Sequence, residues 1–135
     1  MNQARLAAVK AIAAISRILD LPVYAVGGTV RDILLERESR DIDLLVFGDI
    51  FKVAAQLASS VEGSWFVLDE LQRHVRVLSH SLPGLTIDLA ESKTQTLGEN
   101  LKERDFTINA IALEVSDYQQ YLSTNNIEWV KKRLV

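Results

Sequence analysis

The fold is decided by one stretch of the chain, residues 22–47, with the sequence PVYAVGGTVRDILLERESRDIDLLVF. Residues 22–26 are apolar and extended in character, and the glycine pair that follows breaks the strand they predict. Residues 29–35 have the spacing of a short helix. Residues 41–47 are apolar on both faces apart from two acids, which is typical of an interior strand. The stretch therefore predicts a strand, a glycine turn, a helix and a second strand.

Both sides of this stretch show further helical and extended patterns. Apolar residues at helical spacing predict helices over residues 4–19, 50–58 and 97–113, with Asp49 as N-cap of the second and an interruption of the third near residues 105–107. Extended apolar runs predict strands over residues 64–68, 74–79 and 85–90. Helices interleaved with strands in 135 residues predict one domain, residues 1–135, of the α/β (α+β) class, with helices packed on a mixed sheet.

The composition limits the classes of protein to which the chain can belong. With 15 basic and 18 acidic residues the net charge is −3, the wrong sign for a module that mainly grips nucleic-acid phosphates. Cysteine is absent, which excludes disulfides and thiolate metal sites and makes the cytoplasm the expected compartment. Arg5, Lys10 and Arg17 interrupt the N-terminal apolar segment, so an amphipathic helix explains it better than a signal peptide or membrane span.

The glycine pair and the helix after it have the features of an anion site. Gly27 and Gly28 lie between a strand and a helix start, where the backbone can approach a phosphate and free N–H groups attract its charge. Arg31 lies one turn into the helix and can close on the same phosphate. A double glycine alone is more often a tight turn, but the acids that follow favour the anion site.

Two acids of the second strand have the spacing of metal ligands. Residues two apart on a strand point the same way and lie about 6.6 Å apart, so Asp41 and Asp43 present their carboxylates on one face. Carboxylate oxygens are the ligands that Mg²⁺ prefers. The alternative is an exposed strand end. The apolar neighbours Ile42 and Leu44 instead indicate an interior strand, where like charges are costly unless a cation neutralises them.

Two later segments carry polar residues that can join this site. In LTIDLAES, alternation puts Asp88 on the face opposite the apolar residues, where it either joins the acid pair from a neighbouring strand or lies on the wet face of an antiparallel strand. In ENLKERDFTINAIAL, Arg104 offers a fork for a phosphate or a base edge. Asp105 either accepts a sugar hydroxyl or caps a helix, and Asn109 belongs to the same segment.

Three motifs, VGGTVRDILLER, RDIDLLV and ERDFTINAIA, occur in an order and at a spacing that resemble the head domain of class II CCA-adding tRNA nucleotidyltransferases and bacterial poly(A) polymerases. The resemblance covers residues 22–113 and implies a polymerase β-like nucleotidyltransferase palm in which Asp41 and Asp43 bind Mg²⁺, with two ions expected. Asp88 matches a position where the wider superfamily often carries a third carboxylate, and it completes the predicted catalytic set. The resemblance also implies a nucleotide-binding set, in which Gly28 and Arg31 contact the triphosphate and Arg104 and Asp105 the incoming nucleotide, with Gly27 and Asn109 beside them.

The reaction implied by this resemblance is nucleotidyl transfer, in which an RNA 3′ hydroxyl attacks the α-phosphorus of ATP or CTP and pyrophosphate leaves. The expected RNA is tRNA, for addition or repair of its CCA end, and a poly(A) polymerase head is the alternative within the family. A non-catalytic nucleotide-binding module is the alternative from another class. A plain RNA-binding domain is disfavoured by the negative net charge and by the lack of interleaved aromatic and basic residues.

The sequence departs from the family pattern in two ways. Glu36 replaces a common glycine and Glu103 a common arginine, so the local field is less positive. After residue 135 the family would continue into an Asp-Pro and double-glycine loop, a base-reading neck helix, and body and tail helices that hold tRNA. None of these lies within the chain. We therefore expect a head domain without neck, body or tail, either a fragment or a naturally short protein, with the RNA held mainly elsewhere.

Overall fold

The computed structural model describes residues 2–38, 40–103 and 111–135. The helices within them are α1 (Asn2–Leu19), α2 (Gly28–Leu34), α3 (Ile50–Ser60), α4 (Leu97–Lys102), α5 (Val115–Thr124) and α6 (Ile127–Lys131). The strands are β1 (Val23–Val26), β2 (Asp41–Val46), β3 (Gly63–Asp69), β4 (His74–Ser79), β5 (Thr86–Glu91) and β6 (Ala112–Glu114). The strand, glycine turn, helix and strand predicted for the decisive stretch are confirmed as β1, α2 and β2.

The strands of the described residues form one sheet in the order β3-β4-β5-β2-β1-β6. β2 lies inside the sheet, parallel to β5 and antiparallel to β1. The remaining neighbouring pairs are antiparallel. The predicted α/β (α+β) class with a mixed sheet is therefore confirmed, and the strand that carries the acid pair has a neighbour on each side.

Helices α1, α3 and α5 pack on one face of this sheet. The side chains of β2 that face them are Ile42, Leu44 and Val46, which join the main core with residues of α1, α3 and α5. Because side chains alternate along a strand, Asp41 and Asp43 point to the opposite face, which we call the second face. A smaller cluster of buried residues lies on the second face beside α4.

The helix predicted at the N-terminus and the predicted cap of α3 are both confirmed. α1 buries Ala8, Val9 and Ile12 in the main core, as an amphipathic helix should. The side chain of Asp49 accepts a hydrogen bond from the backbone N–H of Phe51 at 3.1 Å and caps α3. Of the helices described, none combines the length and the apolarity that a membrane span requires.

The helix predicted over residues 97–113 is wrong at its C-terminal end. α4 ends at Lys102, and residues 112–114 form β6, which pairs antiparallel with β1. Ala112 and Leu113 are fully buried, so burial and pairing with β1 decide their conformation against their helical periodicity. The predicted interruption near residues 105–107 lies outside the described residues.

Candidate active site

The turn between β1 and α2 brings the glycine pair against an arginine and an aspartate. Gly27 has φ 58° and ψ −130°, a backbone conformation that residues with a side chain rarely adopt. A Cβ atom on Gly28 would lie 3.2 Å from Nη2 of Arg31 and 3.6 Å from Oδ2 of Asp43. The residues of the predicted anion site therefore lie directly beside one of the two predicted metal ligands.

The acids of β2 and β5 lie side by side on the second face. The parallel register pairs Asp43 with Asp88, and Asp41 with Thr86. Asp41 is exposed and Asp43 is partly buried. The sequence left two positions open for Asp88. The structure places it next to the acid pair, on a strand whose other neighbour, β4, is antiparallel.

The pKa of Asp43 is raised above its ordinary value. Burial of the carboxyl group is the largest cause, followed by repulsion from Asp88 and Asp41, whereas the guanidinium of Arg31 acts in the opposite direction. Burial and the neighbouring carboxylates therefore both disfavour the charged form of Asp43. A divalent cation would relieve that repulsion, and hard oxygen donors of this kind suit Mg²⁺.

The fit to a cation rests on two carboxylates rather than on three. Across residues 2–38, 40–103 and 111–135, no group of three histidine, cysteine, aspartate or glutamate side chains is placed to hold a metal ion. Asp41 and Asp43 are neighbours on one face of one strand, which allows both to contribute oxygens. Two carboxylates completed by water and phosphate oxygens are a usual protein contribution to a Mg²⁺ site.

Asp88 already has a cationic partner that the sequence did not identify. Nε of Arg76, in β4, donates to Oδ1 of Asp88 at 2.8 Å, and Nη2 donates to Oδ2 at 3.1 Å. This fork engages both oxygens of the carboxylate. The alternation in HVRVLS places Arg76 on one face of β4, but no local signal states which strand lies beside β4.

Thr29 is a second residue that sequence reasoning missed. Its Oγ1 accepts a hydrogen bond from the backbone N–H of Asp43 at 2.7 Å, and Thr29 is 3% exposed. β1 pairs with β2 only as far as Leu44, so the threonine supplies an acceptor where the chain has already turned into α2. The sequence signal that could have identified Thr29 was its hydroxyl group directly after the glycine pair.

A cavity of about 380 Å³ opens beside these residues. It is lined by Gly27, Asp43 and Asp88, and by Leu68 and His74 from the β3–β4 hairpin. His74 is not one of the residues that the sequence predicted for the site. The cavity gives one ligand access to Gly27, Asp43 and Asp88 together.

The other predicted site residues, Arg104, Asp105 and Asn109, lie outside the described residues. Glu36 is described and has φ 52°, the left-handed conformation that glycine adopts without strain. The resemblance implied a glycine at this position. Glu36 therefore occupies a turn whose backbone suits the family's more common residue.

The six-stranded mixed sheet matches the nucleotidyltransferase head fold of CCA-adding enzymes. The family model described as the Poly A polymerase head domain matches residues 23–135. The chain therefore belongs to the poly(A) polymerase head domain family. The family membership predicted from the three sequence motifs is confirmed.

Relatives of known activity are similar over much of the chain. A CC-adding tRNA nucleotidyltransferase of Geobacter sulfurreducens is 39% identical over 102 residues, which cover 76% of this chain and 24% of that protein. An A-adding tRNA nucleotidyltransferase of the same organism is 34% identical over 121 residues, covering 73% and 12%. The chain thus spans about a quarter or less of the length of these relatives.

Solved structures of CCA-adding enzymes have the same fold. The Thermotoga maritima enzyme complexed with tRNA is similar with a TM-score of 0.70 and 32% identity, over 79% of this chain and 25% of that one. A CCA-adding enzyme with ATP is similar with a TM-score of 0.72 and 27% identity, over 85% and 31%.

Thr29→Val should lower the free energy of unfolding by about 1–3 kcal/mol, because the N–H of Asp43 loses its acceptor. Thr29→Ser keeps the hydroxyl group and is the matched control, which should be the more stable of the two variants. Urea denaturation of both proteins measures the difference. A valine variant as stable as the serine variant would show that the hydrogen bond does not hold β2.

Asp43→Asn should stabilise the chain in metal-free buffer near pH 7. Since the folded-state pKa of Asp43 is raised, its contribution to stability is complete below the unfolded pKa of about 3.9. That contribution is lost as the pH rises through the folded pKa. Asparagine does not ionise and so avoids this loss of stability. The variant should therefore be more stable than the native chain at pH 7, and the difference should shrink on acidification.

Thermal or urea unfolding with chelator, from pH 7 down to pH 4, measures this advantage. Asp69→Asn is the control, because Asp69 is exposed at the end of β3 and asparagine can still accept its hydrogen bond from the N–H of Gln72. An Asp43→Asn variant less stable than the native chain at pH 7 would contradict the raised pKa assigned to burial and repulsion.

Proposed function

We propose that this chain is the catalytic head of a tRNA nucleotidyltransferase, which transfers CMP or AMP from CTP or ATP to the 3′ end of RNA. The observation that carries the proposal is the glycine turn lying against Asp43 in a chain of the poly(A) polymerase head family. The relatives include CC-adding and A-adding tRNA nucleotidyltransferases. Similar solved structures contain CTP, ATP or tRNA, which supports the same substrates here.

Asp41 and Asp43 are the residues that would hold two Mg²⁺ ions. Both present oxygen donors on the second face, and the pKa of Asp43 is raised first by burial and then by repulsion from Asp88 and Asp41, which a cation would offset. Such ions would activate an attacking hydroxyl and stabilise the charge on departing phosphates. Asp88, the neighbour of Asp43 in the register, is the third acid of the proposed site.

Gly27, Gly28 and Arg31 would bind the triphosphate. The glycines leave the turn free of side chains, so that phosphate oxygens can approach its backbone. The side chain of Arg31 is 53% exposed, and its guanidinium lies over the turn, where a phosphate would meet it. An arginine on a phosphate carries no information about the base, so this contact would serve ATP and CTP alike.

Arg104, Asp105 and Asn109 would contact the incoming nucleotide, on the strength of the motif ERDFTINAIA. Arginine can donate to a phosphate or a base edge, and aspartate can accept from a ribose hydroxyl. The net charge of −3 opposes tight binding of RNA phosphates. We therefore propose that the RNA is held mainly by regions of the kind that lie beyond the head in the longer relatives.

The chain of 135 residues should bind ATP and CTP with similar, weak and Mg²⁺-dependent affinity. The similarity follows because the triphosphate is common to both, whereas discrimination between bases needs fixed donors and acceptors at the base edge. Calorimetric titration with each nucleotide, in Mg²⁺ and in chelator, measures it. Asp41→Asn and Asp43→Asn should abolish the Mg²⁺ dependence, and Asp69→Asn should retain it. Binding that is insensitive to Mg²⁺ would contradict the proposal.

Catalysis is tested in a chimera in which this head replaces the head of the Geobacter sulfurreducens CC-adding relative. The longer protein then supplies the RNA-holding regions. The chimera should incorporate CMP into tRNA that lacks its CCA end. Asp41→Asn or Asp43→Asn in the chimera should lower the rate by more than about 100-fold, the upper range for groups that merely support metal ligands. Asp88→Asn should cause a smaller loss.

Two outcomes of the exchange would count against a catalytic head. A chimera that binds CTP with Mg²⁺ but transfers nothing would support the non-catalytic nucleotide-binding module instead. Full transfer by the Asp41→Asn and Asp43→Asn variants would remove these two residues from the reaction.

A further inference from the structure

Three charged side chains stand in a row across the second face of the sheet. The register pairs Arg76 of β4 with Asp88 of β5, and Asp88 with Asp43 of β2. Neighbouring strands lie about 4.8 Å apart, and residues paired across them share a face. Asp88 therefore lies between a guanidinium on one side and a carboxylate of the proposed cation site on the other.

The guanidinium holds Asp88 by both of its oxygens. The distances are 2.8 Å from Nε of Arg76 to Oδ1 and 3.1 Å from Nη2 to Oδ2. The side chains are 38% exposed for Arg76 and 27% exposed for Asp88, so the pair is partly shielded from water. A planar fork of this kind fixes the orientation of the carboxylate. Both oxygens of Asp88 are thus engaged by a residue of β4.

We propose that Arg76 is a positioning residue that keeps Asp88 out of the coordination of the divalent cations, so that their site has two carboxylate ligands, Asp41 and Asp43, instead of three. The inference rests on the proposed function, because it presupposes a cation site at Asp41 and Asp43. It agrees with the finding that the described part of the chain contains no group of three acids placed to hold a metal ion.

The number of charged ligands sets how tightly a site binds a divalent cation by itself. A site with two carboxylates binds Mg²⁺ weakly until substrate phosphates complete its shell, whereas a third carboxylate would hold the ion in the absence of substrate. Arg76 therefore makes cation binding depend on the nucleotide. Loss of Arg76 would release Asp88 and give cation binding that no longer needs the triphosphate.

Binding of Mn²⁺ to the 135-residue chain in the absence of nucleotide tests this inference, with the electron paramagnetic resonance signal of free Mn²⁺ as the readout. Arg76→Met removes the donors and keeps most of the apolar stem. The Kd for Mn²⁺ should fall about tenfold, a typical size for a changed partner of a metal site. In an Asp88→Asn background the same substitution should change the Kd much less, because no carboxylate remains to be released.

Two further variants serve as controls. Arg76→Lys keeps the charge and loses the fork, so it should tighten Mn²⁺ binding less than Arg76→Met does, and it also tests the inference if the methionine variant does not fold. Arg17→Met removes an exposed arginine from the last turn of α1, on the helical side of the sheet. It should leave the Kd unchanged, and thermal unfolding verifies that each variant is folded.

The outcomes separate the inference from the proposed function. Equal tightening by Arg76→Met with and without Asp88 would overturn the inference, because Arg76 would then act through its charge alone. Unchanged or weaker Mn²⁺ binding by folded Arg76→Met and Arg76→Lys would overturn it as well. If neither the native chain nor Arg76→Met binds Mn²⁺, with or without nucleotide, the proposed function fails and the inference fails with it.

Discussion

The parallel pairing of β2 with β5 is the constraint on which the rest of the site depends. Parallel strands need a long connection, and here α3, β3 and β4 lie between the two strands in the chain. A slip of one residue would turn Ile42 and Leu44 away from the main core, so burial fixes the register of β2. In the observed register, Asp43 stands beside Asp88. The packing of apolar side chains on one face thus stabilises an arrangement of like charges on the other.

Residues of several neighbouring elements stabilise these like charges. Arg76 of β4 engages Asp88, and Arg31 of α2 partly offsets the causes that raise the pKa of Asp43. Thr29 holds the backbone of Asp43 where β1 no longer pairs with it. The repulsion that remains between Asp41 and Asp43 is a local departure from the most stable arrangement, of the kind that proteins retain at functional sites.

The elements predicted correctly from the sequence are those whose pattern lies within one segment of the chain. α1, β1, α2, β2 and α3 follow from hydrophobic periodicity, from the glycine pair and from the cap at Asp49. The prediction failed at β6, where Ala112 and Leu113 fit a helical pattern but pair with a strand from the other end of the chain. α5, which packs mainly on α1 among the helices, was not predicted either, although its buried Val115, Tyr118 and Leu122 recur at helical spacing.

Within the candidate site, too, local patterns were predicted and contacts between distant segments were not. The local sequence is sufficient for Gly27, Gly28 and Arg31 at one turn and for Asp41 and Asp43 on one face, because covalent spacing and strand geometry determine both. The local sequence identifies Asp88 as a candidate third acid, but it does not identify Arg76 as the partner of Asp88. That Asp88 lies between Asp43 and Arg76, and that Thr29 reaches Asp43, was decided by the tertiary structure. The physical reason is that a neighbour across a sheet is set by the topology and register of the whole chain, which the burial of the core selects and no local pattern encodes.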